Sequence, residues 1–227
     1  MGNETVQTKK PSLFGMIFSP GEQFERLRER PVIWVPLILF TLITTILAVV
    51  VVLNMDYTMT PGLEESSPEE LEMIKIFGAV GGGIASLFTV PIGYLFFAAI
   101  YFLAAKMVKS DVRFKQMFSL IIFVSFITIL GSIINQLLAL VLGEDPAIMF
   151  TSLNSFIAAT GPVGAILNSI EVFSIWYQVL LAIGLIKVAK LSKQSAITIV
   201  IVLFVIGILI TAGIAAGSSA LEGLTQV

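Results

Sequence analysis

The chain has 227 residues, a formal net charge of −2, no cysteine and no histidine. With 57% hydrophobic and 12% charged residues it lies far from the roughly 45–50% and about 25% of soluble domains, and reads as an integral membrane protein. The missing Cys and His exclude disulfides, thiolate nucleophiles, the commonest general base and the commonest transition-metal ligand.

Residues 1–31 form a polar and amphipathic leader. In SPGEQFERLRERP, Ser19 stands as a helix N-cap, Pro20 at the first helical position and Glu22 third, where its carboxylate can reach back to the cap. Glu22 with Arg26 and Glu25 with Arg28 have ion-pair spacing, while Phe24 and Leu27 share the opposite side. Pro31 disfavours helix at Arg30, so the chain turns there before the first apolar run. Upstream, Leu13, Phe14, Met16, Ile17 and Phe18 add an apolar patch, and the whole reads as a short helix on the inner membrane surface. Two roles stand side by side: an anchor that fixes topology, or a handle for a partner carried by Phe18, Phe24, Leu27, Arg26 and Arg30.

Five apolar runs follow that are long enough, or nearly so, to cross a bilayer: about 32–53, 76–105, 117–142, 172–186 and 196–217. The first is read as an uncleaved span, the second as kinked at Pro91, and the fourth is short. Together, 32–217 form one transmembrane domain, with 218–227 as an outer tail. Twelve of the thirteen basic residues, all but Lys75, fall in the leader, the second loop and the fourth loop. Asp56, Glu64, Glu65, Glu69, Glu70, Glu72, Glu144, Asp145 and Glu222 fall on the other side. Because inner loops are enriched in Lys and Arg, this places the N-terminus in the cytoplasm and the C-terminus outside, in a multi-pass protein of the cell membrane.

In the first outer loop, Ser67-Pro68-Glu69-Glu70 has the signature of a capped helix start. The second, GEDPAIMFTSLNSFIAATGPVGA, is too apolar for a solvated loop and too interrupted for a span, and is expected to lie in the interface or to dip in as a re-entrant segment. There is no internal repeat, and five spans do not divide into inverted halves, which argues against a secondary transporter.

Polar constellations in the spans are few. The third carries Ser125, Thr128, Ser132 and Asn135 on one side with Gln136 beside them, a stripe read as interhelical glue or as the wall of a conduit. In the second, GAVGGGIAS offers Gly78-xxx-Gly82 overlapping Ala79-xxx-Gly83, so that another helix, or a second copy of the chain, can approach closely. Asn168 and Glu171 are spaced as N-cap and third position of the fourth span. Glu171, Ser174 and Gln178 also make one polar face. Trp34, Trp176 and Tyr177 are placed in an interfacial belt. No phosphate-binding Gly-Lys-Ser/Thr loop, no base beside the hydroxyls and no metal-ligand cluster occurs, so no enzyme, cofactor or metal is expected; nothing points to nucleic acid.

LFGMIFSPGEQFERLRERP resembles the entry motif of the Yip (Ypt-interacting protein) membrane family. KMVKSDVRFKQMFSLIIFVSF, with Phe114 and Gln116, resembles its stretch before the third span. IEVFSIWYQVLLAIGLIKVAKLSKQSA, with Glu171, Trp176 and Gly184, resembles its fourth span and basic loop. A proline usual early in the third span is replaced by Phe126. The resemblance implies a five-span all-α fold and adds Phe114 and Gln116 to the partner-binding candidates. The short leader favours the bacterial branch, which includes an accessory subunit of an ABC-type exporter implicated in protection against a toxic peptide. What it implies here is a non-enzymatic adaptor that contacts membrane lipid and ABC transporter subunits or other membrane proteins. A small permease or channel, or a trafficking-type scaffold, is the alternative.

Overall fold

The computed structural model describes residues 9–55, 57, 62–63, 66–146 and 148–225, with helical side chains described as far as Leu221. Asp56, Glu64 and Glu65 lie outside the described residues, as does the side chain of Glu222. In order, the described helices are α1 (Gly15–Phe18), α2 (Pro20–Glu29), α3 (Trp34–Asn54), α4 (Pro68–Met107), α5 (Phe114–Leu142), α6 (Asn154–Ile157), α7 (Gly161–Ser169), α8 (Val172–Lys187) and α9 (Lys193–Thr225). The fold is all-α and polytopic: α3, α4, α5 and α9 are each long and apolar enough to cross a bilayer, and α8 is a shorter apolar helix. At 16 residues, α8 is roughly 24 Å long, less than the ~30 Å hydrocarbon layer. In the segment before it, α7 lies against α9.

The centre is α5, where Leu120, Ile121, Ile122, Phe123, Val124 and Ile127 are all buried. Helices α3, α4 and α8 pack around it, while Trp34, Phe77, Phe88 and Ile210 are among the large side chains exposed outward. An apolar exterior of this kind is what a lipid solvent accepts and water does not. Helix α4 begins at the Ser67 capping box, in which Ser67 Oγ accepts from Glu70 N and Glu70 Oε2 accepts from Ser67 N at 2.7 Å. These bonds favour the ionised form and hold the Glu70 carboxyl below its usual range. The helix runs unbroken through Pro91. Proline removes one backbone donor there, but in a membrane the remaining backbone has no better partner than its own helix.

Of the two overlapping small-residue pairs of α4, Ala79 with Gly83 is the buried one. Ala79, Gly83 and Ser86 are buried, and Ser86 Oγ donates to Thr45 Oγ1 of α3 at 2.7 Å. A Cβ on Gly83 would stand 3.1 Å from Val49 and one on Gly78 3.3 Å from Val52, whereas one on Gly82 meets nothing within 4 Å. Gly82 is therefore not a packing residue between these helices. Gly82→Ala is expected to leave thermal unfolding in detergent unchanged, or to raise stability by up to about 1 kcal/mol through helix propensity. Gly83→Leu is expected to part α3 from α4 and lower stability by about 1–3 kcal/mol.

Candidate functional site

The leader is built into the bundle. Phe24, Leu27 and Met16 are each 0% exposed, and α2 packs on α8 and α5. Ser19 holds the N-cap position, but its hydroxyl makes no capping bond and instead donates to Gly15 O at 3.5 Å. Glu22 pairs with Arg26 rather than reaching back to the cap. Glu25 turns away from Arg28 and pairs with Lys187 at the end of α8, at 2.6 Å. Gln116 Oε1 caps the start of α5 by accepting from Arg113 N, and its Nε2 donates to Arg28 O at 2.7 Å. Ser119, which the sequence reading passed over, accepts from Val32 N at 3.1 Å and donates to Val32 O at 2.6 Å. It thus satisfies both backbone groups at the turn after Pro31, where no helix supplies them.

These contacts correct the expected partner set. Phe24 and Leu27 are core residues, because the apolar face of α2 meets α5 and α8 before it can meet lipid or a partner. Gln116 is buried and committed to Arg113 and Arg28. Phe114 packs edge-on against Phe102 and face-on against Phe118 at the joint of α4 and α5. Of the named candidates, Phe18 at 84% exposure, Phe114 and Arg30 are exposed at the surface, with Arg26 half-buried beside Glu22.

Beside them lies a charged cleft of about 640 Å³, walled by the leader (Glu25, Arg28, Glu29), the 108–113 loop (Lys109, Asp111, Arg113) and the turn after α8 (Lys190). Its four cations outnumber its three carboxylates, and Glu25 is already held by Lys187. Ser110 Oγ donates to Ala189 O at 2.6 Å and accepts from Val112 N, which locks the two loops together as a floor. Lys109 and Lys190 both have left-handed backbones, φ 61° and 54°, a conformation that L residues adopt at a cost of roughly 1–2 kcal/mol. The cleft is a rigid, net-basic concavity with no nucleophile–base pair among its residues.

At the opposite end a polar node joins three elements. Glu171 is itself the N-cap of α8, with Ser174 N donating to its Oε2 at 2.6 Å, so the cap stands one turn later than the Asn168 spacing suggests. The other carboxyl oxygen accepts from Thr151 Oγ1 at 2.5 Å, and Thr151 N donates to Asn135 Oδ1 at 3.0 Å. Asn168 instead accepts from Ser152 at 3.2 Å. Asn135 thus ties its helix to another element, and Ser125 of the same stripe also hydrogen-bonds Tyr94 of α4. Ser125, Thr128 and Ser132 donate to carbonyls of α5 itself, at 2.9–3.1 Å, and Ser132 is exposed. Glu171 is 5% exposed and accepts from a helix N-terminus and a hydroxyl, a structural arrangement that the helix dipole favours.

Between these two ends, a cavity of about 550 Å³ is walled by α4 and α9, with Ser125, Thr128, Ser174, Tyr177 and Gln178 behind. Tyr177 therefore faces a cavity rather than an interfacial belt. Gln178 Oε1 is buried and accepts no hydrogen bond from the described residues. An unmatched buried amide oxygen costs about 1–3 kcal/mol. Among the described residues there is no group of three or more Asp or Glu placed to hold a metal.

The Yip1 domain family model matches residues 14–214. The chain belongs to the Yip1 domain family. It is 40% identical over 225 residues to "Membrane protein YknW" of Bacillus subtilis (strain 168), with 95% of this chain and 94% of that protein covered. No solved structure matches. The Yip1 match starts at Phe14, so it takes in α1 and α2 along with the spans, in keeping with a leader packed on α5 and α8.

Proposed function

We propose that the chain is a non-enzymatic adaptor of the cell membrane, N-terminus inside, which assembles or regulates a partner export complex of the ABC type, with protection against a toxic peptide as its physiological outcome. The charged cleft carries this reading: three separate segments converge on it, their cations are exposed, and nothing in it can do chemistry. The family resemblance supports the class of partner, and the concentration of Lys and Arg at this end of the bundle supports the orientation. An acidic inner segment of the partner fits the cleft by charge.

Lys109 and Lys190 allow a clean test, because glycine relaxes a left-handed backbone while removing the charge. The double variant Lys109→Gly/Lys190→Gly is expected to fold with undiminished thermal stability. Affinity purification from mild detergent should recover the ABC-type subunit in fixed proportion with the wild type. With the variant, recovery should fall about fivefold to tenfold, as two exposed ion pairs at up to about 1 kcal/mol each require. Wild-type protein recovered alone, or a variant that recovers its partner undiminished, overturns the reading. A permease is less well supported: no residue lines both the cavity and the cleft.

A further inference from the structure

We propose that the pocket where α3 and α5 end side by side binds a single-chain amphiphile with an ammonium head, the head at Glu144 and the tail along the apolar walls. Helix α3 stops at Asn54 and α5 at Leu142, and the space along their last turns holds about 410 Å³, within the ~300–1,000 Å³ of small-molecule sites. A helix about 10 Å across would fill that volume with roughly one turn, so a partner's span is too large an occupant. Leu47, Val50, Ile133, Leu137 and Leu140 make most of the wall, and an alkyl chain needs no polar partner there. Leu137 and Leu140 are exposed on the bundle surface, so a chain reaches this wall from the surrounding lipid without crossing the core.

Charge specifies the head. The polar side chains of the pocket are Asn54, Gln136 and Glu144. Asn54 Nδ2 donates to Val50 O at 2.8 Å and Gln136 Nε2 to Leu47 O at 3.4 Å; an amide that keeps both a donor and an acceptor to offer does not choose between heads. Glu144 does: it is exposed, it is the one charged side chain of the pocket, and no cation lines it. Both ion pairs among the described residues lie at the other end of the bundle, and Lys75, the basic residue at this end, sits over the Tyr57 ring. Gly143, with φ 69°, closes α5, and Glu144 N donates to Ala139 O at 3.0 Å, which fixes Glu144 directly beyond the helix end. Two helix C-termini, the negative ends of their dipoles, therefore add to the carboxylate. A phosphate or carboxylate head would meet this charge with no counter-ion, and an alcohol would gain nothing from it. An ammonium, protonated at neutral pH as lysine is, gains the attraction at an exposed rim where it keeps part of its water and avoids the penalty of a buried charge.

The test uses the full chain in phosphatidylcholine vesicles with dodecylamine carrying a photoactivatable group in its tail. Adducts are expected in the peptides spanning 47–54 and 133–144. At equal membrane concentration, unlabelled dodecylamine should compete about fivefold better than dodecanol, as one exposed ion pair of about 1 kcal/mol requires, and better still than dodecanoate. Phosphatidylethanolamine, whose ammonium is tethered to a phosphate, should not displace the probe. Glu144→Gln should bring the amine down to the level of the alcohol while thermal unfolding stays that of the wild type, since the side chain is exposed. Equal competition by amine, alcohol and carboxylate, displacement by phosphatidylethanolamine, an amine preference that survives Glu144→Gln, or adducts spread over the outward faces of α3, α4 and α9 would each overturn the proposal. Co-purification of a partner is a separate measurement, so failure here leaves the adaptor reading standing.

Discussion

Phe24→Asp is expected to abolish the folded bundle, not merely to weaken assembly with a partner. Phe24 is 0% exposed and belongs to the same core cluster as Leu27, Met117 and Leu185. Removing the ring alone costs about 3–5 kcal/mol, and an aspartate in its place adds the several kcal/mol of an unpaired buried charge. That total is comparable with the whole stability of a small domain, about 5–15 kcal/mol. The measurement is the yield of monodisperse protein in detergent and its thermal unfolding, with Phe18→Asp as the reference. Phe18 is 84% exposed, and its substitution is expected to leave both readings unchanged. Equal behaviour of the two variants would mean that α2 is not docked on α5 and α8.

The leader also shows which properties a sequence carries and which it does not. Amphipathicity is local, so the helix at 20–29 and its apolar face were legible from the spacing of Phe24 and Leu27. What that face meets is decided by residues far along the chain: Gln116, Ser119 and Lys187 reach back to Arg28, Val32 and Glu25. Nothing in the spacing of α2 announces them. The same division holds at the two caps. Ser67 to Glu70 follows the usual grammar of a helix start and was readable. At the fourth span two starts compete within four residues, and Glu171 takes the cap from Asn168 because Thr151, twenty positions upstream, holds the other carboxyl oxygen.

In the spans the limits are geometric. Gly78, Gly82 and Gly83 all satisfy a small-residue rule, and only the rotation of α4 against α3 decides that Gly83 meets Val49 while Gly82 meets nothing. The stripe on α5 was visible, yet three of its hydroxyls are satisfied within the helix. Short side chains of this kind find their own carbonyls as readily as a neighbour. The charged cleft was present in the sequence only as topology. Lys109 and Lys190, far apart in the sequence, share one cleft because Ser110 ties their two loops together.

Gly184→Ala is expected to disturb both ends of the molecule at once. An ideal Cβ there would stand 2.3 Å from Cδ1 of Leu120 and 3.2 Å from its Cδ2, and Leu120, in the second turn of α5, is 0% exposed. With no space to turn into, Leu120 must leave its rotamer or α8 must move out, at a cost of about 1–3 kcal/mol. Leu120→Ala alone should cost about 2–5 kcal/mol through the cavity it leaves. The double variant should cost less than the two together by about 1 kcal/mol or more, since the new methyl group occupies the vacated space. Unfolding of all four proteins in the same detergent measures this coupling, and strict additivity would show that the two residues do not meet. Because α8 carries Lys187 at the cleft and Gln178 in the cavity, an outward shift should also weaken the Glu25 pair and open the cavity wall. Gly184→Ala should therefore lower stability and partner recovery together, where Lys109→Gly/Lys190→Gly reduces only the recovery.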